Sequence, residues 1–180
     1  NAVSTGAILL HLDYPALQKE QMLVGYVQYG LDLWGIVRAG YTGWPGHGGF
    51  GAGRKWVLVF TGIMLGDDAT RDVSKAYPNV HFAEDDQTRA GKSWQGYDVI
   101  FESHPLWHPV FSETKPPSEW GPPELMSWGY RMVNTSCEWP GEALAAHLMR
   151  AEKYFNHDPF FAYVDRYMKE DLIAEVKAVD

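Results

Sequence analysis

The stretch QKEQMLVGYVQYGLDLWGIVRA, residues 18–39, decides how the chain folds. Leu23, Tyr26, Val27, Gly30, Leu31, Trp34 and Val37 recur in it at three- and four-residue spacing, the period of an α-helix with one apolar face, and Gly40 follows as a stop. Three glycines, Gly25, Gly30 and Gly35, interrupt the pattern. Each costs a helix about 1 kcal/mol against Ala, so another backbone is expected to pack closely there.

Outward from this helix the same period continues. Residues 53–65, GRKWVLVFTGIML, are apolar on nearly every side and predict a helix buried all round, stopped by Gly66. Asp67 or Asp68 is placed to cap a short third helix ending before Pro78. From Asn79 to about Pro123 the helical period gives way to prolines, glycines and aromatics, with a short strand-like run at Tyr97 to Phe101. So long a connection, rich in Trp and Phe, suits a functional loop better than a disordered one. Helix is expected again over residues 140–154 through Leu144, His147, Leu148 and Ala151, and from Pro159 to Met168 behind an Asp158 N-cap. Lys169 to Asp180 prolongs that helix or frays. The fold class expected is mainly α, with antiparallel helical hairpins, long aromatic-rich loops and little β.

With 180 residues the chain fits a single helical domain spanning 1–180. Its formal charge of -8 offers no basic field to a nucleic-acid backbone, and no apolar run reaches the roughly 18 residues that cross a bilayer. Neither nucleic acid nor a membrane span is expected. Cys137 has no second cysteine to pair with. The chain opens on Asn1 and residues 1–10 lack the positive region of a signal peptide, which suggests a processed form or a piece of a longer protein.

Six of the eight tryptophans, Trp44, Trp94, Trp107, Trp120, Trp128 and Trp139, fall in loops or at helix boundaries. Flat amphipathic rings among carboxylates suit a sugar, whose C–H face stacks on the ring while its hydroxyls donate to acid oxygens; equally, such rings fold loops onto a core. The glycine run from Gly46 to Gly53 contains G-x-G-x-x-G, but a helix precedes it where a dinucleotide site needs a strand, and Arg54, Lys55 and Trp56 follow where a phosphate loop needs Gly-Lys-Ser/Thr. What survives is a glycine-lined helix N-terminus flanked by Arg54 and Lys55, with His47 at its edge, suited to a carboxylate or sulfate or else simply a tight entry to a buried helix. Glu84, Asp85 and Asp86 crowd three carboxylates together, a pattern that raises a pKa when buried and marks a solvated turn when not; Glu138 or Glu142 would complete an acid–base pair. Glu102, His104 and His108 are weak metal candidates, because Pro105 and Pro109 break the helix that would align the histidines. No cofactor is implied.

The segments YTGWPGHGGFGAGRKWVLVFTGIMLGD (41–67), HFAEDDQT (81–88), SCEWPGEALAAHLM (136–149) and FNHDPFFAYVDRYM (155–168) together resemble bacterial proteins of the helical-toroid kind, the α/α-barrel architecture of several polysaccharide lyases and glycoside hydrolases, over about half the chain. The resemblance implies stacked helix pairs with a sugar cleft at one end. A complete toroid needs about twice as many helices as the sequence offers, so the chain would be a fragment, a subunit or an open half-toroid that another chain completes. A polysaccharide or oligosaccharide would be the partner, bound by Trp44, Arg54, Trp94, Trp107, Trp120 and Trp139, and the location would be secreted or periplasmic. Lyase chemistry would use Tyr130 or His47 as base and Arg131 to stabilise the enediolate; hydrolase chemistry would pair Glu84 or Asp85 with Glu138. A non-catalytic glycan-binding or scaffold module is the rival reading.

Overall fold

A computed structural model of the protein describes residues 2–46, 49–102, 113–171, 174 and 177. The chain is mainly α, with two small sheets. Helix α1 (Ala2–Leu9) leads into the long α2 (Ala16–Arg38), and α3 (Arg54–Leu65) packs against α2. Two single-turn helices follow, α4 (Asp68–Arg71) and α5 (Val73–Ala76), with Asp67 accepting from the Ala69 and Thr70 N–H groups as the expected cap. The stretch expected to be one long connection holds β2 (His81–Phe82), α6 (Ala83–Asp86), β3 (Thr88–Ala90) and β4 (Val99–Phe101). β2 pairs in parallel with β1 (Gly43–Trp44), and β3 pairs with β4 antiparallel, Thr88 opposite Phe101.

Helix α7 (Pro122–Tyr130) was not expected from hydrophobic period, yet its start is written in Gly121-Pro122-Pro123-Glu124: proline in the first turn and Glu124 Oε2 accepting from the Gly121 N–H at 3.0 Å. It runs into a π-turn over Arg131–Thr135 that turns Arg131 and Thr135 inward. The helix expected over 140–154 is two, α8 (Pro140–Leu148) and α9 (Glu152–Phe155), broken at Arg150, which sits at φ +54°. α10 (Asp158–Tyr167) starts one residue early, with His157 rather than Asp158 at the cap position; Asp158 occupies its first turn.

The core is aromatic. Trp139 lies 5.6 to 6.1 Å from Phe101, Phe160 and Tyr163, and Trp56 stacks on Phe155. In α3 every residue from Lys55 to Gly62 is buried, whereas Met64 and Leu65 emerge, so the all-round burial read from sequence ends one turn early. α2 buries Tyr26, Gly30, Leu33 and Val37 and turns Leu31 outward.

The three α2 glycines separate cleanly. A Cβ on Gly30 would lie 1.9 Å from Thr61 Oγ1 and 3.0 Å from Val57 O, the close helix approach the sequence suggested; Gly25 and Gly35 face open space. Gly30→Ala is therefore expected to cost about 1–3 kcal/mol by overpacking the α2–α3 contact, while Gly25→Ala and Gly35→Ala each stabilise by about 0.5–1 kcal/mol. Thermal melts of the three variants check this, and equal shifts in one direction would contradict it.

Candidate functional site

The glycine run 46–53 exists because backbone must pass close to other backbone. Gly49 has φ +78°, and a Cβ there would lie 2.4 Å from Asn134 O and 2.9 Å from Glu138 Cγ; Gly53 has φ +84° and abuts Val3. These contacts bring the 49–54 turn, the start of α1 and the 134–138 segment together, and Ser4 Oγ donates to Glu138 O to hold the last two. Between them and α2 lies a cleft of about 370 Å³, within the range of small-molecule sites. Tyr29 and Phe50 present rings to it, Phe50 being 74% exposed, and Arg54 and Glu138 supply charge of both signs. A wider groove of about 510 Å³ is lined largely by apolar side chains including Leu10, Leu23, Phe60 and Met64, together with His11, Lys19 and Glu20.

Behind the cleft the N-terminus of α3 already holds a carboxyl group, and it is internal. Gly53 N–H donates to Glu84 Oε1 at 2.5 Å. Lys55, expected beside an external anion, is wholly buried and bonded to both Asp85 oxygens at 2.5 and 2.7 Å, with Phe82 and Phe155 beside its ammonium. The acidic triplet thus splits three ways: Glu84 to α3, Asp85 to Lys55, and Asp86 to His81 at 3.2 Å.

A second carboxyl, that of Glu142 on α8, lies within electrostatic reach of Glu84. Both are wholly buried, and among the described residues no group meets Glu84 Oε2 or either Glu142 oxygen in hydrogen-bonding geometry. Burial pushes the Glu84 pKa up to about 7, helped by Asp85 and opposed by the Gly53 N–H and Lys55. Burial, then the charge of Glu84, holds Glu142 well above the carboxylate range, against the pull of Arg54. Burial thus favours the protonated form of both carboxyls. Glu138 stands on the cleft side, close enough that its charge adds to the upward push on Glu142.

Other candidate side chains go elsewhere. Arg131 is a buried ion-network residue rather than an open site residue. Its Nε bonds Tyr163 Oη at 2.5 Å and meets Glu113 at 3.0 Å, and Nη2 meets the buried carboxylate of Glu170. Arg166 completes the network, donating to both Glu113 oxygens at 2.6 and 3.0 Å and to Val99 O. Arg166 and Glu170 stand four residues apart in sequence and could have been read as a helix pair; nothing local marks Glu113 as their partner. Tyr130, half-buried, accepts from Gln87 Nε2 at 3.3 Å and is not part of the described cleft lining.

The described candidate tryptophans, Trp44, Trp94, Trp120, Trp128 and Trp139, are not among the residues that line the cleft. Trp139, expected to face sugar, is fully buried among core rings and has no free face. Trp44 stacks on Phe82, and Trp94, Trp120 and Trp128 close around a crevice of only about 10 Å³, room for one water at most. Glu102 pairs with Arg89. His47, Trp107, His104 and His108 lie outside the described residues, among which no cluster of three His, Cys, Asp or Glu side chains is arranged to hold a metal. Nor is any described helix long and apolar enough to cross a membrane. Compared with known protein families, curated proteins and solved structures, the chain matches none.

Proposed function

We propose that the chain binds a carbohydrate in the cleft formed by Tyr29, the 49–54 turn and Glu138. The observation that supports this most is the pairing, in one open cleft, of two aromatic faces with one guanidinium and one carboxylate. Such a lining gives a pyranose apolar area for its C–H face and both donor and acceptor for its hydroxyls. Because Lys55 is buried against Asp85, Arg54 is the described cation of the cleft and Glu138 offsets it, which favours a neutral sugar over a uronate.

Glycosidic-bond cleavage is a second reading, favoured by one observation: the proton-holding pair Glu84–Glu142 lies within electrostatic reach of Glu138. Hydrolysis needs one carboxyl that carries a proton and one that does not, and Glu142 and Glu138 would fill those roles. Binding ranks above cleavage because Glu142 is wholly buried and Glu138 is the described carboxyl at the cleft.

Calorimetric titration with a panel of neutral and uronic-acid oligosaccharides tests the reading. A neutral glycan is expected to bind, and Phe50→Ala, which removes an exposed ring without disturbing the core, is expected to weaken it by about tenfold. Unchanged affinity in that variant would remove the cleft from consideration. Incubating the same panel and following new reducing ends separates binding alone from hydrolysis, and accompanying ultraviolet absorbance would identify a lyase.

A further inference from the structure

A second cleft opens where the end of α2 and the end of α5 run into the paired strands β1 and β2. It holds about 380 Å³, within the range of small-molecule sites, and shares no lining residue with the cleft at Tyr29 and Glu138. Its walls are fixed by backbone. The His81 N–H donates to Thr42 O at 2.8 Å, and a Cβ on Gly43 would lie 2.0 Å from His81 O, so the segments entering the two strands are held side by side.

Two phenol rings line this cleft, each braced by a tryptophan. The ring centroids of Tyr41 and Trp44 are 5.1 Å apart, and Tyr77 meets Trp34 edge-on at 5.2 Å. Rings held in this way offer flat apolar area with little rotamer freedom left to lose on binding. Charge separates the two clefts. Arg38 is the one charged residue of the described lining here, whereas the first cleft sets Arg54 against Glu138. No described side chain bonds the Arg38 guanidinium. Asp67 lies within its electrostatic reach, but that carboxylate is engaged by the Ala69 and Thr70 N–H groups and the Thr70 hydroxyl. Nor does α2 need Arg38 to close its last turn, because the Gly35, Ile36 and Val37 carbonyls accept from the Ala39, Tyr41 and Gly40 N–H groups.

We propose that this second cleft binds a small aromatic carboxylate, its ring against Tyr41 and Tyr77 and its carboxylate on Arg38. A guanidinium fork matches a planar carboxylate with two parallel N–H···O bonds. Thr42 and Asn79, whose side chains bond no described residue, add neutral polar contacts from the same lining. A neutral sugar suits it less, since the described lining carries no carboxylate to accept from ring hydroxyls. The site differs from the carbohydrate cleft in both residues and ligand, so each stands or falls alone.

Backbone amide NMR titration of the wild-type chain with 2-naphthylacetate, 2-naphthylacetamide and acetate tests the proposal, because the three probes separate ring from charge. Saturable shifts centred on Arg38 to Thr42 and on Tyr77, Asn79 and Val80 are expected with the acid. The amide is expected to bind at least about tenfold more weakly, and acetate to give no saturable shift. Arg38→Gln, at an exposed position, is expected to bring the acid down to the affinity of the amide, and Tyr41→Ala to weaken acid and amide alike. Equal affinity for acid and amide, acetate binding as tightly as the naphthyl acid, acid affinity unchanged in Arg38→Gln, shifts centred elsewhere, or no binding would each overturn it. Glycan binding at Tyr29 and Glu138 is read at other amides and is untouched by any of these results.

Discussion

Replacing Glu113 with Ala is expected to lower the unfolding free energy by about 3–5 kcal/mol. The reason lies in what would remain. Arg131 and Arg166 are almost wholly buried, and Glu113 answers both, meeting Arg131 Nε at 3.0 Å and Arg166 at 2.6 and 3.0 Å. Its Oε2 also accepts from the Phe101 N–H at 2.9 Å, tying the end of β4 into the same network. Without it the described carboxylate left to the two guanidiniums is Glu170, and the pocket loses one of its two described negative charges. Glu113→Gln keeps an acceptor for Phe101 and one for Arg166, so its loss should be roughly half as large. Urea unfolding of both variants measures this. A loss under about 1 kcal/mol for Glu113→Ala would mean that water reaches the network.

The second large effect is a fall in stability as pH rises from about 4.5 to 7. Glu84 moves from its ordinary 4.5 to about 7 on folding, so across that window the folded state holds a proton the unfolded state has released. Stability from this group is fully present below 4.5 and is lost as pH climbs through 7; at 1.36 kcal/mol per pH unit the loss comes to about 3 kcal/mol. Glu142, raised for the same reason, adds in the same direction. His157 opposes them: burial lowers its pKa, so its contribution is present above 6.5 and fades as pH falls. Asp67 and Glu152 are lowered too, but both are open to solvent and contribute little. Glu84→Gln, which still offers an oxygen to the Gly53 N–H, is expected to flatten the profile and to exceed wild type at about pH 8. A wild-type curve that rises from pH 4.5 to 7 would refute the assignment.

How far these features could be read from sequence depends on their range. α2, α3, α10 and the Asp67 cap were legible because period, glycine stops and caps are local. α7 was missed although Pro122 and Glu124 announce its start, since its apolar residues follow no clean stripe; Leu125 and Met126 are exposed. The acidic triplet was legible as a place where burial raises a pKa, and Glu142 as one of two partners. That Glu84 turns inward while Asp85 goes to Lys55 was not, because it depends on α3 arriving from thirty residues away. Tryptophan position misled for a related reason: a ring at a helix boundary, such as Trp139, is placed in the core by neighbours from α10 and β4 that no local window contains. Tyr29 and Phe50, which do face the cleft, look in sequence like a helix residue and a loop residue.

The claim that the cleft is a sugar site is tested most directly by following backbone amide NMR signals during titration with the best-binding oligosaccharide. Saturable shifts centred on Tyr29, Gly49 to Ala52, Arg54 and Glu138 are the expected result. Shifts confined instead to Trp94, Trp120 and their neighbours, or no saturable shift with any glycan in a folded sample, would contradict it.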